Sequence, residues 1–373
     1  MYKTQGIKNS RIEVADGLRG LAVAGIILYH SVEHFDMFAR NIAHTLPCDG
    51  KFMDVLTVLL SGKMYGIFAL LFGLSFFIQR DNQEQKGKDF SLRFAWRMFL
   101  LLIFGVINTV FYDGDILAFY AIFGLLLIPA GYLSNTLLWI VTCFLLIQPI
   151  EIYSLITGWV PEFAMKWQRY FEICSVHADG TFWDSTLINL KYAQSTSFGW
   201  CFMKGRTTQT VGLFFLGLLF GRYRLFCNEG NHLRIWRIIC AVSAVLVAAG
   251  TIVDFGGLDN FLRPLYNLAI LLFIVSGVVL LWYGSAGFRK GFSHMCFFGR
   301  MSLSNYLLQS IIGATLFYGW GFGLYDKLGT TYSFFVGIGI VLFQYMLLYF
   351  WSRKHQRGPV ETVWRNLTWI GSK

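Results

Sequence analysis

The sequence predicts an all-α, polytopic membrane protein, and three features of the chain carry that prediction. Of its 373 residues, 55% are hydrophobic and only 14% are charged, a balance far from that of soluble domains. Apolar windows long enough to cross a hydrocarbon layer of about 30 Å recur along the whole length. The 38 Gly and 37 Phe suit helices that pack closely together and face lipid.

We expect about ten transmembrane helices, which together form a single domain over residues 1–373. Placing both termini in the cytoplasm puts 21 of the 31 Lys and Arg residues on the cytoplasmic side, as the positive-inside rule requires. The net charge of +10 is then explained by the loops, without nucleic acid as a partner. We expect a multi-pass protein of the plasma (inner) membrane. The windows are 17–37, 54–78, 93–112, 115–133, 136–157, 207–226, 236–254, 264–283, 296–318 and 333–352.

The longest connection between these windows runs over 158–206 on the outer side. It contains Trp159, Trp167, Trp183 and Trp200, so it is too aromatic for a solvated linker. Long loops inside compact domains are commonly functional lids or binding loops. We therefore expect this segment to pack over the outer mouth of the helix bundle. There it would shape the site at which the acceptor molecule of a transfer reaction binds.

Arg19 and His30 stand out in the first apolar window because they are eleven positions apart. That spacing is close to three helical turns, so both side chains lie on one face, about 16 Å apart. Ionisable groups are costly in a bilayer and usually line a protein interior or an aqueous cavity. We expect one polar passage between them, with Asp16 holding Arg19 as a local ion pair. A structural Arg at the membrane edge and a buried structural His is the alternative.

Other polar residues in apolar windows extend this candidate site. Lys63 either snorkels to the interface or helps Arg19 to hold a cofactor. Asp113 and Asp115 form a short outer turn, in which a carboxylate could orient His30 or an acceptor. On the ninth predicted helix, Ser302, Asn305 and Gln309 form a polar stripe. The stripe indicates either hydrogen bonds between helices or a contact with the cofactor.

The first predicted helix also contains the H-x-x-E-H pattern of inverted zinc peptidases, formed by His30, Glu33 and His34. Two imidazoles at i and i+4 can bind one zinc ion, with Glu as the base. A third protein ligand is required, and no later His or Glu forms an obvious partner motif. The seven Cys contain no C-x-x-C pair either, so we expect no metal.

Several stretches together resemble the YeiB-type family of bacterial inner-membrane proteins. They are LRGLAVAGIIL in the first window, FALLFG at 68–73, DGDIL at 113–117, GRMSLSNYLLQS at 299–310 and GPVETVWRNLT at 358–368. That family is similar to the transmembrane acyltransferase superfamily, which includes acyltransferase family 3 and the heparan glucosaminide N-acetyltransferases. In those enzymes an Arg or Lys precedes a catalytic His by eleven positions, as Arg19 precedes His30 here. YeiB-type members often carry Asn where this chain has His30.

The resemblance implies a membrane-bound, acyl-CoA-dependent O- or N-acyltransferase. It would move an acetyl or short acyl group from cytosolic acyl-CoA, with acetyl-CoA expected, to a hydroxyl or amine of an envelope glycan or lipid. His30 would be the base or the transient nucleophile, assisted by Asp113 or Asp115. Arg19, Lys63, Asn305 and Gln309 would bind the cofactor. A carrier or flippase of a polar small molecule or lipid is the alternative, since intramembrane charge supports it equally. Membrane lipids are expected partners, and the sequence leaves open whether the chain forms a homo-oligomer.

Overall fold

Seventeen helices form the regular structure of the residues that the computed structural model describes, and no strand occurs among them. The described residues are 12–33, 35, 46–162, 170–253, 255–256, 259–325 and 327–370. The helices are α1 (Glu13–Glu33), α2 (Asp49–Leu59), α3 (Lys63–Glu84), α4 (Ser91–Thr109), α5 (Leu117–Gly124), α6 (Leu127–Ala130), α7 (Asn135–Leu146), α8 (Pro149–Thr157), α9 (Tyr170–Asp179), α10 (Phe182–Met203), α11 (Thr207–Arg222), α12 (His232–Ile252), α13 (Asp259–Gly284), α14 (Ala286–Arg300), α15 (Ser302–Phe317), α16 (Thr330–Ser352) and α17 (Pro359–Thr368).

Six helical segments of the described chain are long and apolar enough to cross a membrane. Two of them combine successive helices, because α2 runs into α3 and α7 runs into α8. These segments confirm an all-α protein with several membrane-crossing helices. They are Asp49–Glu84, Ser91–Thr109, Asn135–Thr157, His232–Ile252, Phe261–Gly284 and Thr330–Ser352.

Four apolar windows that the sequence presents as continuous are interrupted in the structure, one of them, 296–318, at Met301 between α14 and α15. The window 54–78 breaks at Gly62, whose φ of 77° is favourable only for glycine. The window 136–157 breaks at Gln148, which has a φ of 65° and precedes Pro149. The window 115–133 becomes α5 and α6, and the eight residues of α5 reach only about 12 Å. That helix is too short to cross a bilayer by itself.

Glycines set the closest helix contacts around α1 and α3. A Cβ on Gly20 would meet the backbone of Met295 in α14, and a Cβ on Gly299 would overlap the Asp16 carbonyl oxygen. Small residues permit this close approach of two backbones. The same arrangement joins α3 to α11, where added Cβ atoms on Gly73 or Gly217 would overlap backbone oxygens. Helix α1 also contacts α3, α15 and α16, so it lies inside the bundle.

Helix α17 is attached to the bundle at both of its ends. At its first turn, the Glu361 carboxylate accepts hydrogen bonds from the backbone N–H groups of Leu303 (2.8 Å) and Ser304 (3.0 Å) at the start of α15. At its last turn, Arg93 of α4 donates to the Thr368 carbonyl oxygen at 2.8 Å. These contacts fix α17 beside α4 and α15.

The long connection at 158–206 contains two helices, α9 and α10, in the part that the structure describes. A capping box formed by Thr181 and Asp184 begins α10. In α9, the buried His177 ring stacks on Tyr318 with centroids 3.9 Å apart, and its Nε2 lies 2.9 Å from the Asn189 side-chain oxygen. The segment is therefore packed against the chain just after α15 and is no solvated linker.

Candidate functional site

Two cavities lie along α1, one at each ionisable residue that the sequence singled out. The His30 cavity, of about 150 Å³, lies toward the C-terminal end of α1. The Arg19 cavity, of about 380 Å³, lies toward its N-terminal end. The walls of the His30 cavity come from α1, the α2–α3 turn, the turn before α5, the end of α10 and α15.

His30 is half-buried and sits against aromatic rings. Its imidazole centroid lies 5.0 Å from that of Tyr112 and 6.3 Å from that of Phe35. Tyr112 is completely buried and directly precedes the turn that carries the two aspartates. The imidazole therefore has one face held by aromatic contacts while the residue lines the cavity.

Asp113 and Asp115 line the same cavity as His30, so the structure brings these three predicted residues together. The Asp115 carboxylate accepts hydrogen bonds from the Asn108 side chain at 2.9 Å and from the Ala118 backbone N–H at 3.3 Å. It thus fixes the start of α5. The Asp113 backbone carbonyl accepts a hydrogen bond from the Ser197 hydroxyl at 3.1 Å, which ties the turn to α10.

Asp113 also acts electrostatically on the helix that covers this end of the molecule. Burial lowers the pKa of His177 below its ordinary value, and the charge of Asp113 opposes that shift. His177 is therefore neutral at pH 7. The aspartate thus lies within electrostatic reach of α9 and lines the His30 cavity.

The His30 cavity contains two cations that the sequence analysis did not select. Arg206 is only 7% exposed, and its guanidinium lies 4.4 Å from the Trp200 ring centroid and 5.8 Å from that of Tyr65. Lys204 is exposed at the same wall. Both follow α10 at the end of the 158–206 segment, which we expected to pack over the outer mouth; their charge alone gave no signal, because cations are common in long outer loops.

The Arg19 cavity has a cationic wall. Arg19 pairs with Asp16 at 2.6 Å, which confirms the predicted local ion pair, and it donates to the Ser75 hydroxyl at 2.8 Å. Arg97 and Arg300 also line the cavity, whereas Asp16 is the one acid among its described lining residues. Three guanidinium groups against one carboxylate favour an anionic occupant.

Sequence reasoning missed Arg97 and Arg300, although each left a signal. Arg97 lies inside the apolar window 93–112, where a charge requires an explanation. Arg300 belongs to the GRMSLSNYLLQS motif. The indole of Trp364, from the GPVETVWRNLT motif, lines the same wall and lies 4.1 Å from the Arg97 guanidinium, measured to its ring centroid.

An aromatic layer separates the two cavities. Tyr65 lines the His30 cavity and Tyr120 lines the Arg19 cavity, while the Tyr120 hydroxyl donates to the Tyr65 backbone oxygen at 3.0 Å. Successive residues Ile116 and Leu117 likewise face opposite cavities. Instead of the single passage that we expected, Arg19 and His30 line two cavities whose walls stand back to back.

Three predicted cofactor residues line neither cavity. Lys63 is 3% exposed, and its ammonium group donates to the Thr57 carbonyl oxygen at the end of α2, at 3.0 Å. Asn305 donates to the Phe298 carbonyl oxygen at 3.1 Å. The buried side-chain amide of Gln309 has no hydrogen-bond partner among the described residues. Their role toward a cofactor stays a prediction.

The zinc-peptidase pattern cannot be completed from the structure, because His34 lies outside the described residues. Within the ranges that the structure describes, no group of three or more His, Cys, Asp or Glu side chains is arranged to hold a metal ion.

The helices and the two cavities define a multi-pass helical membrane protein, and similarity to known proteins narrows its family. Residues 220–371 match a family described as "Protein of unknown function (DUF418)". Over 98% of this chain and 96% of the relative, the sequence is 26% identical to uncharacterized protein YxaH of Bacillus subtilis. It is also 26% identical to uncharacterized protein YeiB of Escherichia coli, over 95% of each chain.

A third relative is an uncharacterized 39.9 kDa protein, in the amylase 3' region, of Bacillus acidopullulyticus. It is 24% identical over 97% of this chain and 94% of its own length. These similarities support the YeiB-type family that the motifs indicated. No solved structure matches the fold significantly.

Proposed function

We propose that this protein is a plasma-membrane acyltransferase. It transfers an acetyl or short acyl group from cytosolic acyl-CoA to a hydroxyl or amine of an envelope glycan or lipid. The observation that carries the proposal is the pair of back-to-back cavities, one cationic around Arg19 and the other containing His30 beside two aspartates. A donor on one side of the membrane and an acceptor on the other would each approach through one of these cavities.

The proposal places both termini in the cytoplasm and includes about ten crossings of the membrane. Six segments are long enough to cross. Helices α1, α11 and α15 and the α5–α6 pair would supply the remaining crossings, with α5 and α6 crossing together. The Arg19 cavity then faces the cytosol, where the phosphates of acyl-CoA meet three guanidinium groups.

At the His30 cavity, the imidazole takes the proton of the acceptor hydroxyl or amine while the acceptor attacks the thioester carbonyl. The carbon–sulfur bond breaks, and the CoA thiolate leaves with the proton that His30 returns. Alternatively, the imidazole itself attacks and carries the acyl group to the acceptor. Either route requires the Tyr65–Tyr120 layer to open, because the thioester must pass from the Arg19 cavity to His30.

Radiolabelled acetyl transfer by the purified full-length protein tests this proposal. With acetyl-CoA as donor and an envelope extract as acceptor, His30→Ala should lower turnover by about 10²–10⁴-fold. His294→Ala is the matched control, because His294 bonds the Tyr345 hydroxyl outside both cavities. A His30→Ala protein that transfers acetyl groups at the wild-type rate would refute the role of His30.

A carrier is the second candidate, and the Tyr65–Tyr120 layer between the cavities favours it as well. Alternating access moves or gates one part of a transporter against another around a central site, and this layer could serve as such a gate. Counterflow of a labelled solute in proteoliposomes, with no consumption of acetyl-CoA, would establish the carrier. Acetyl transfer without counterflow would exclude it.

A further inference from the structure

Arg97 is a cation in the wall of the Arg19 cavity whose charge has no acidic partner among the described residues. Its Nη1 donates to the Thr368 hydroxyl at 3.3 Å, and its Nε is buried without a hydrogen-bond partner in the described chain. Arg19 differs, since Asp16 neutralises it. Arg97 thus carries an uncompensated charge into the cavity.

Arg97 is half-buried, with its Nε fully buried. A charge that is desolvated in this way without a counter-ion is costly, and proteins keep such groups where a ligand completes them. A guanidinium presents five N–H donors in a rigid fork that fits phosphate oxygens. Arg97 uses one of these donors within the described chain. The remaining donors have no structural function that the packing explains.

The position of Arg97 is fixed from outside its own helix. The guanidinium lies 4.1 Å from the centroid of the Trp364 ring, and the Trp364 indole N–H donates to the Arg97 carbonyl oxygen at 3.3 Å. Trp364 also lines the cavity. Because Glu361 anchors α17 to α15, the C-terminal helix holds Arg97 at the cavity in a preset orientation.

Arg93 supplies an internal comparison one turn earlier on α4. It also contacts Thr368, through the carbonyl oxygen at 2.8 Å, and its guanidinium lies 4.6 Å from the Trp369 ring centroid. Arg93 does not line the Arg19 cavity. The two arginines share a helix and a contact residue, and each lies over a different tryptophan of the C-terminal segment, so they differ mainly in access to the cavity.

We propose that Arg97, held on the Trp364 indole, is the phosphate-binding subsite of the Arg19 cavity. It takes the phosphorylated end of acyl-CoA, which makes the C-terminal helix α17 part of the cofactor site. This assignment rests on the proposed acyltransferase function for the identity of the ligand. The anion chemistry of the subsite rests on the geometry of Arg97 alone.

Binding of CoA, pantetheine and inorganic pyrophosphate to the detergent-purified full chain tests the subsite. Loss of a charge-assisted hydrogen bond to phosphate weakens binding by about ten- to a hundred-fold. Arg97→Gln should therefore weaken CoA and pyrophosphate binding by that factor and leave the affinity for pantetheine, which lacks phosphate, unchanged. Arg97→Lys keeps the charge and should lose less affinity for CoA, while Arg93→Lys, which keeps a donor for the Thr368 carbonyl oxygen that anchors α17, should bind CoA as the wild type does.

The outcomes separate the subsite from the wider proposal. Wild-type affinity of Arg97→Gln for CoA would overturn the subsite and leave the acyltransferase proposal intact. Pyrophosphate binding that depends on Arg97, in a protein that neither binds CoA nor transfers acyl groups, would support the anion site and reject the acyltransferase. Equal loss of CoA and pantetheine binding in Arg97→Gln would indicate a purely structural role and overturn the inference.

Discussion

Glu361 joins the C-terminal helix to the bundle, and its replacement by Ala gives the sharpest test of the fold. Its carboxylate accepts from the backbone N–H groups of Leu303 and Ser304 and from the Ser304 hydroxyl. These N–H groups lie in the first turn of α15, where no intrahelical acceptor exists. The Ser304 hydroxyl in turn accepts from the Val360 N–H at 3.1 Å, so the two helix starts cap each other.

The expected loss follows from the donors that Glu361→Ala leaves behind. Two buried backbone N–H groups lose their acceptor at a cost of about 1–2 kcal/mol each, so the free energy of unfolding should fall by about 2–4 kcal/mol. Glu361→Gln keeps an acceptor oxygen but removes the charge at the helix N-terminus, and it should cost about 1 kcal/mol. The order of stability is therefore wild type, Gln, Ala.

Unfolding of the purified protein in mixed micelles, followed by circular dichroism, measures this order. Glu84→Ala is the control, because the Glu84 side chain is 53% exposed in its ion pair with Arg80 and should contribute about 0–1 kcal/mol. If Glu361→Ala and Glu84→Ala unfold at the same denaturant concentration, the mutual capping of α15 and α17 does not stabilise the protein and the reasoning fails.

Two further predictions concern helix packing and pH. Gly299→Ala places a Cβ against the Asp16 carbonyl oxygen and should lower the free energy of unfolding by about 1–3 kcal/mol. Gly277→Ala is the control, because its Cβ meets open space and should not destabilise the protein. The same unfolding assay compares the two variants. Burial lowers the folded-state pKa of His177. The stability that its neutral ring contributes is therefore complete above about pH 6.5, the ordinary pKa of an unfolded His, and it is lost as the pH falls through the folded-state pKa. Hydrogen exchange over 170–179 should therefore become less protected on acidification, and His177→Gln should remove this pH dependence. If the amide protons of residues 170–179 in the wild type are as protected at pH 5 as at pH 7, the prediction is contradicted.

Part of the candidate site was predictable because it depends on local geometry. The eleven-residue spacing of Arg19 and His30 placed both on α1, and the i−3 position of Asp16 gave the observed ion pair. The grouping of Asp113 and Asp115 with His30 also follows the expectation. Helical periodicity and short turns fix such relations before any tertiary contact forms.

Some other predicted residues do not line a cavity, because long-range packing decides what surrounds them. Asn305 and Gln309 share a face, as the spacing required, and neither lines a cavity, although Ser302 of the same stripe lines the Arg19 cavity. Lys63 meets the end of α2 instead of a cofactor cavity, because the chain turns sharply at Gly62. A polar stripe shows which residues share a helix face, but the neighbouring helices determine what that face meets.

The sequence by itself determined that this chain is helical and crosses a membrane, since apolar length and composition decide that without reference to neighbours. It also determined that a guanidinium and an imidazole occupy one helix, about three turns apart. Only the tertiary structure decided that these groups line two cavities, with Tyr65 in the wall of one and Tyr120 in the wall of the other. Only the tertiary structure joined Arg97 to Trp364, which are 267 positions apart along the chain, because no local periodicity relates α4 to α17.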